Sequence, residues 1–291
     1  MLSVRQATET DRTVISEISK HYDSNLVHLM HNTWMQQGSL YIAEADGTVI
    51  GFCCLTFPAP TEAQILGIRL RPEYRKESLG RQFVIALLHL AQERGCNIVR
   101  TLTSAENWET QAALQRNLDF ERRGSWVVAY REKLRKKFCS AELIEPAAPA
   151  LLDEIWDYLQ YSLTYRRSEG LIFGGDYTLR GFTKAYLAKL LAEGQVYVCQ
   201  EGEMVAGVAV ASCQGDTMVL RYVDARPHVI LELLQGIICS KECDCQFLTS
   251  AVPADTYGDA KPYLEHCVEN HVADRWLVME KEVLPLALPR E

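Results

Sequence analysis

Residues 65–95, ILGIRLRPEYRKESLGRQFVIALLHLAQERG, decide the fold. A short apolar strand passes into a polar loop with one glycine, and the loop opens an amphipathic helix. In that helix Phe83, Val84, Leu87, Leu88, Leu90 and Ala91 share one broad apolar face, His89 falls on the polar side, and Gly95 supplies the stop. The order strand, loop, helix N-terminus gathers free backbone N–H groups and the positive end of the helix dipole at one point. Such a point suits a phosphate-bearing ligand.

Working outward toward the N-terminus, residues 63–70 form the strand that feeds this loop, and residues 48–57 form an apolar strand stopped by Pro58 and Pro60. Residues 39–45 alternate, and Asp46-Gly47 is a hairpin turn between the two. Before them lie a first strand at 3–7, N-cap residues Thr8 to Asp11, a helix carrying Val14, Ile15 and Ile18, and a less regular helical stretch to Gln37. On the other side come a strand at 97–102, a short helix at 111–117 and a strand-rich stretch at 120–131. The first half reads β-α-α-β-β-β-α-β-α-β-β.

The second half repeats that order. A strand is expected at 141–145, a break at Pro146 to Pro149, and helices at 151–165 and 179–193. Strands follow at 195–200, 204–212 and 217–223, then a helix at 228–239, a strand at 246–250, a helix at 263–271 and a strand at 275–283. Repetition at this scale predicts a mixed α/β fold of two tandem modules, each a central mixed, mostly antiparallel sheet flanked by helices. The modules are expected at 1–137 and 138–291. They differ at the decisive loop, because only Asp224-Ala225-Arg226-Pro227 separates strand from helix in the second copy, too short and stiff to cradle a phosphate.

A length of 291 residues accommodates two modules with a core each. Up to residue 140 there are 18 Lys+Arg against 15 Asp+Glu, and beyond it 12 against 23, so the acidity lies in the second half. With a pI near 5.5 there is no basic footprint, and nucleic acid is not an expected partner. The first residues carry no signal pattern, and no apolar run approaches the roughly 20 residues of a membrane-spanning helix. Several of the ten cysteines, among them Cys53, Cys54, Cys199 and Cys213, fall in apolar strand-like runs. Free thiols in a reducing cytoplasm are the expectation, with no membrane association.

The module order, together with Arg75-Lys76-Glu77-Ser78-Leu79-Gly80 between the fourth strand and its helix, resembles the GNAT superfamily of acyl-CoA-dependent N-acyltransferases. Their loop reads Arg/Gln-x-x-Gly-x-Gly/Ala; this chain matches at Arg75 and Gly80, with Ser78 in place of the middle glycine. Arg71-Pro72-Glu73-Tyr74 is similar to the family's lead-in, and Leu118-Asp119-Phe120 to the Leu-Gly-Phe after its last helix. The resemblance covers residues 3–132 in motif and 141–283 in architecture only, so the second module is a degenerate copy. It implies that Ile68 and Leu70 contact pantetheine through their main chain. It further implies that Arg75, Lys76, Glu77, Ser78, Leu79, Gly80 and Arg81 hold the pyrophosphate of acetyl-CoA, and that Asn107 lies near the pantetheine arm. The basic side chains at 75, 76 and 81 agree with that assignment on charge alone.

The family's usual proton carriers are absent, since Leu66 stands where many relatives have a carboxylate and Gln115 where they have a tyrosine. Glu106 and Tyr130 are the candidate catalytic replacements; His21, His28 and His31 share the helical segment that walls the acceptor site in relatives. The expected function is transfer of acetyl from acetyl-CoA to a primary amine of a small molecule by direct attack. A non-catalytic acyl-CoA-binding sensor or assembly module, or an acetyltransferase for protein N-termini or lysines, is the alternative. A homodimer is left open.

Other features are assigned to structure. Cys239, Cys243 and Cys245, followed by His266, Cys267 and His271, lack the paired spacing of common zinc sites, so no metal is expected. Residues 170–181, with Gly174-Gly175, have neither the preceding apolar strand nor the lysine of a nucleotide loop and are expected to be a mobile loop or plain connector. Trp156, Tyr158, Tyr161 and Tyr165 mostly share a helix face and are assigned to packing.

Overall fold

The computed structural model describes residues 2–22, 32–75, 78–135, 144–239 and 245–284. It divides into two compact units, Met1–Arg122 with Val278–Glu291, and Arg123–Leu277.

In the first unit the strands β1 (Leu2–Gln6), β2 (Leu40–Ala45), β3 (Thr48–Ala59), β4 (Glu62–Leu70) and β5 (Ile98–Ser104) lie side by side in chain order. Neighbours are antiparallel as far as β4, and β4 pairs with β5 in parallel. A parallel neighbour requires a crossover, and the helix α2 (Leu79–Glu93) supplies it. Its buried side chains, Phe83, Val84, Leu87, Leu88 and Ala91, recur at helical spacing, and each contributes roughly 1–3 kcal/mol by leaving water. The helix ends where Gly95 adopts φ +80°. α1 (Arg12–Ser19) follows β1, and α3 (Trp108–Leu118) follows β5. The latter is longer than the expected 111–117 because Asn107 caps it, its side chain accepting from Thr110 N at 3.1 Å.

The turn before α1 rests on one carboxylate. Asp11 accepts from Thr8 N at 2.7 Å, from Thr8 Oγ1 at 2.9 Å and from two Arg5 nitrogens at 2.9 and 3.0 Å. The Arg5 hydrogen bonds, with help from Thr8 and against the cost of burial, pull its pKa down to about 2. A depressed carboxylate stabilises the fold fully above its unfolded value, and the benefit disappears as the pH falls through the folded value. Acid titration of stability should therefore show a loss between pH 4 and about 2 that Asp11→Asn removes, while Asp11→Ala costs about 1–2 kcal/mol at neutral pH. Urea melts at each pH check both; an unchanged acid slope in Asp11→Asn would contradict the assignment.

The second unit repeats the layout with β9 (Val196–Glu201), β10 (Met204–Gln214), β11 (Thr217–Ala225) and β12 (Phe247–Pro253). β9, β10 and β11 are antiparallel, β11 and β12 are parallel, and α7 (Ile230–Ile238) crosses between them. β6 (Glu121–Lys133) then pairs with β12 antiparallel through its residues from Trp126 to Lys133. α8 (Tyr257–Cys267) begins before the expected helix and keeps Pro262 inside it. The expected helix 151–165 is two, α4 (Leu152–Tyr161) and α5 (Leu163–Arg167), because Ser162 is extended and its side chain caps the second by accepting from Tyr165 N. Trp156 packs edge-on against Tyr165 at 5.7 Å, in keeping with a packing role.

Residues 170–181 are a small hairpin of β7 (Leu171–Phe173) and β8 (Leu179–Gly181), not a plain connector, and α6 (Lys184–Ala192) starts only after Thr183 caps it. The expected strand at 141–145 lies largely outside the described residues. The compact units do not coincide with the chain halves 1–137 and 138–291. β13 (Asp274–Glu282) supplies the reason: from Val278 onward it belongs to the first unit, where Val283 N donates to Asn97 O at 2.8 Å and Glu280 takes Arg100 Nε at 2.7 Å.

Candidate functional site

The first unit opens between β4 and β5. Their parallel pairing runs from Glu62 opposite Ile98 to Ile65 opposite Thr101 and stops. Against β3, Leu66 faces Cys54 and Arg69 faces Phe52, so Gly67 and Ile68 together oppose Cys53 alone. This is a β-bulge, and Gly67 takes φ +60°, a conformation that favours glycine. The bulge bends β4 where its ladder with β5 ends. Residues 66–70 therefore present main-chain groups on that side without a strand partner.

Orientation along this edge follows from one hydrogen bond. Arg71 N donates to Ile50 O at 2.8 Å on the β3 side, so Leu70 points its N–H the other way, into the opening. There the Tyr22 hydroxyl takes both of its polar groups, accepting from Leu70 N and donating to Leu70 O at 2.8 Å each. The phenol stands where a neighbouring strand, or an extended ligand, would pair. Arg69 and Arg75 both lie over its ring, their guanidinium carbons 4.6 and 4.2 Å from the centroid. Arg75 also donates to Leu70 O and His21 O, each at 3.3 Å. Burial pushes the Arg69 guanidinium pKa down, and neighbouring Arg75 adds to that while Tyr22 opposes it.

Beyond β4 a 3₁₀ turn, Pro72–Tyr74, leads to Ser78 and the start of α2. Lys76 and Glu77, both expected at the pyrophosphate, lie outside the described residues. First-turn amides of a helix have no intrahelical acceptor, which makes Leu79, Gly80 and Arg81 donors at this end. The Ser78 hydroxyl accepts from Gln82 Nε2 at 3.1 Å, and Arg81 Nε donates to Asn117 O at 3.1 Å, fixing its stem against the end of α3. A Cβ on Gly80 would come within 3.2 Å of Leu70 Cδ1. Cations, free amides and a close approach thus meet at the end of β4.

At the far end of β5 an open cavity of ≈ 370 Å³ is lined by Ser104, Glu106, Asn107, Trp108 and Glu109. Glu106 is exposed there, and Trp108 is 70 % exposed. Asn107 accepts from Thr110 N at the helix cap through its side-chain oxygen. Leu66 is 2 % exposed and sits in the core, while Gln115 is on the surface, so neither position handles a proton. Tyr130 belongs to the second unit, where its ring lies 5.7 Å from that of Tyr177. His21 is exposed; His28 and His31 lie outside the described residues.

Tyr22 is the residue that sequence alone did not single out. Nothing local marks it, since its partner Leu70 is 48 positions away. Among the described residues no group of three or more His, Cys, Asp or Glu is arranged to hold a metal. His271 has both ring nitrogens engaged, by Tyr257 and Glu132, and Cys243 is outside the described residues. No helix among the described residues is long and apolar enough to cross a membrane.

A bulged strand splayed from its parallel neighbour, followed by a loop and a helix N-terminus, gathers main-chain donors and acceptors of the kind that suit an extended, phosphate-ended ligand. Residues 5–120, within the first unit, match the acetyltransferase (GNAT) family model. The chain is 29% identical over 103 residues to an uncharacterized N-acetyltransferase of Chlorobaculum tepidum, a match covering 34% of this chain and 66% of that protein. A GCN5-related N-acetyltransferase from Sphaerobacter thermophilus shares the fold, with a TM-score of 0.61 and 11% identity over 97% of this chain and 95% of its own. A Thermoplasma acidophilum structure does likewise, at TM-score 0.55 and 12% identity over 97% of this chain and all of its own. At these identities the likeness is one of fold, and it extends over both units.

Proposed function

We propose that the first unit is an N-acetyltransferase that moves acetyl from acetyl-CoA to a primary amine of a small molecule. The observation that carries this reading is the opening of β4 from β5 at the Gly67 bulge, directly ahead of the α2 N-terminus. In it the pantetheine arm pairs with the main chain of Ile68 and Leu70, and Arg75, Gly80, Arg81 and their loop neighbours receive the pyrophosphate. The second unit lacks that loop, its β11 reaching Ala225 and α7 starting at Ile230.

Transfer is direct. The neutral amine attacks the thioester carbonyl carbon, an N–C bond forms, the C–S bond breaks, and coenzyme A leaves as a thiolate. The nitrogen's surplus proton ends on that thiolate, through water or through a side chain such as Glu106. Cys53, Cys96, Cys199 and Cys267 are free thiols, which supports a reducing compartment such as the cytoplasm.

The second reading, binding without turnover, is favoured by Leu66 and Gln115 standing where proton carriers are expected. Titration with acetyl-CoA alongside a broad amine panel separates the two. Release of coenzyme A thiol that depends on amine supports the enzyme; binding with no release from any amine overturns it. Lysine-bearing or N-terminal peptides in the same panel test the protein-acetylating alternative.

Tyr22 gives a finer check. If the pantetheine arm takes over the Leu70 groups that the phenol now occupies, Tyr22→Phe binds acetyl-CoA about 5–100-fold more tightly, the worth of two hydrogen bonds no longer displaced. Unchanged or weaker binding would show that the arm does not use Leu70.

A further inference from the structure

The second unit holds two arginines brought together around one tyrosine. Arg180 lies on β8, and its guanidinium carbon is 3.6 Å from the centroid of the Tyr186 ring. Arg221 lies on β11 and reaches the Tyr186 hydroxyl with Nη1 at 3.5 Å. Both Nε atoms are shielded from solvent and have no hydrogen-bond acceptor among the described residues. Among the described residues neither guanidinium enters an ion pair.

This arrangement is built by the backbone. In β11 Tyr222 faces Val210 and Leu220 faces Ala211, which leaves Arg221 as the extra residue of a bulge. Tyr222 packs in a core cluster with Leu187 and Leu190 of α6, and Arg221 touches Tyr186 of the same helix. Regular alternation would send consecutive side chains to opposite faces; the bulge turns both toward α6. Tyr186 is itself fixed, its N–H donating to the Thr183 hydroxyl at 3.2 Å.

Two like charges on one phenol repel each other, and each shielded N–H without an acceptor forfeits a hydrogen bond to water. An anion removes both costs at once. Guanidinium forks match planar or tetrahedral oxyanions, offering several donors in fixed geometry. We propose that the second unit binds a small oxyanion, the carboxylate or phosphate group of a ligand, between Arg180 and Arg221, with the Tyr186 hydroxyl as a further donor. Both arginines are only partly buried, so the group can enter from solvent. This site stands apart from the acetyl-CoA reading, since all three residues belong to the second unit.

The test follows the arginine Nε–H resonances of the full chain by NMR while inorganic phosphate, acetate or chloride is added at equal ionic strength. Phosphate can also be drawn to the α2 loop, so the signals of Arg180 and Arg221, assigned through Arg180→Gln and Arg221→Gln, are the readout. Saturable shifts at both arginines with phosphate assign a phosphate ligand, and with acetate a carboxylate. Each Gln variant should then weaken the apparent affinity about tenfold or more. Shifts equal to those in chloride, or affinity unchanged in folded variants, overturn the proposal. Should the Gln variants not fold, Arg180→Lys and Arg221→Lys, which keep the charge and remove the Nε–H, assign the two signals in their place, and the wild-type shifts decide.

Discussion

Replacing Gly80 by valine should abolish measurable acetyl-CoA binding and leave the fold in place. At Gly80 a Cβ alone approaches Leu70 Cδ1 to 3.2 Å, and the branches of valine fill the gap between the start of α2 and the end of β4. In the proposed acetyl-CoA reading, that gap is where the pyrophosphate comes close to first-turn amides. Losing two charge-assisted hydrogen bonds, at about 1.5–3 kcal/mol each, weakens binding more than about 100-fold. The fold tolerates the change because Gly80 is an ordinary helical residue with no positive φ, the contact is with the far end of a leucine, and valine is no worse a helix former than glycine. Calorimetric titration together with a urea melt checks both halves. Retained binding in a folded variant would remove this loop from the ligand site.

A second large effect is expected in stability. Arg100 on β5 is 4 % exposed and bridges two carboxylates, Glu62 at 2.8 Å and Glu280 at 2.7 Å. Arg100→Leu leaves both acids short of their counter-ion in a buried setting, which should cost about 3–5 kcal/mol. The net worth of the triad is much smaller than that, because its charges had to leave water first. Combining Arg100→Leu with Glu62→Gln and Glu280→Gln should therefore recover a good part of the loss. Denaturant midpoints of the single and triple variants measure this; a single variant within about 0.5 kcal/mol of the parent would contradict the picture.

Local chemistry explains what could be seen in the chain. The strand, loop and helix from 65 to 95 were legible because apolar spacing, a loop glycine and a stop glycine agree there, and the repeated order in the second half followed from the same signals. Gly67 inside an apolar strand is a local sign of a bulge that the sequence reading does not take up, and which strand pair it opens depends on register. The break at Ser162 and the hairpin at 171–181 escaped because short elements carry little periodicity. Tyr22 on Leu70, Arg100 with Glu280, and Arg221 on Tyr186 join residues 35 to 180 positions apart, and composition holds no trace of such pairings.

The last strand also sets an order of events at the ribosome. Synthesis runs from the N-terminus, and domains commonly fold as they emerge. Here the first unit contains Val278–Glu282, so it stays one strand short, with Arg100 lacking Glu280, until the second unit has been made in full. The unit that begins the chain is the one that finishes folding last. A nascent chain halted before residue 278 would expose the flank of β5 and be a natural client for chaperones, whereas truncations of the purified first half should not be expected to behave as a miniature of the whole.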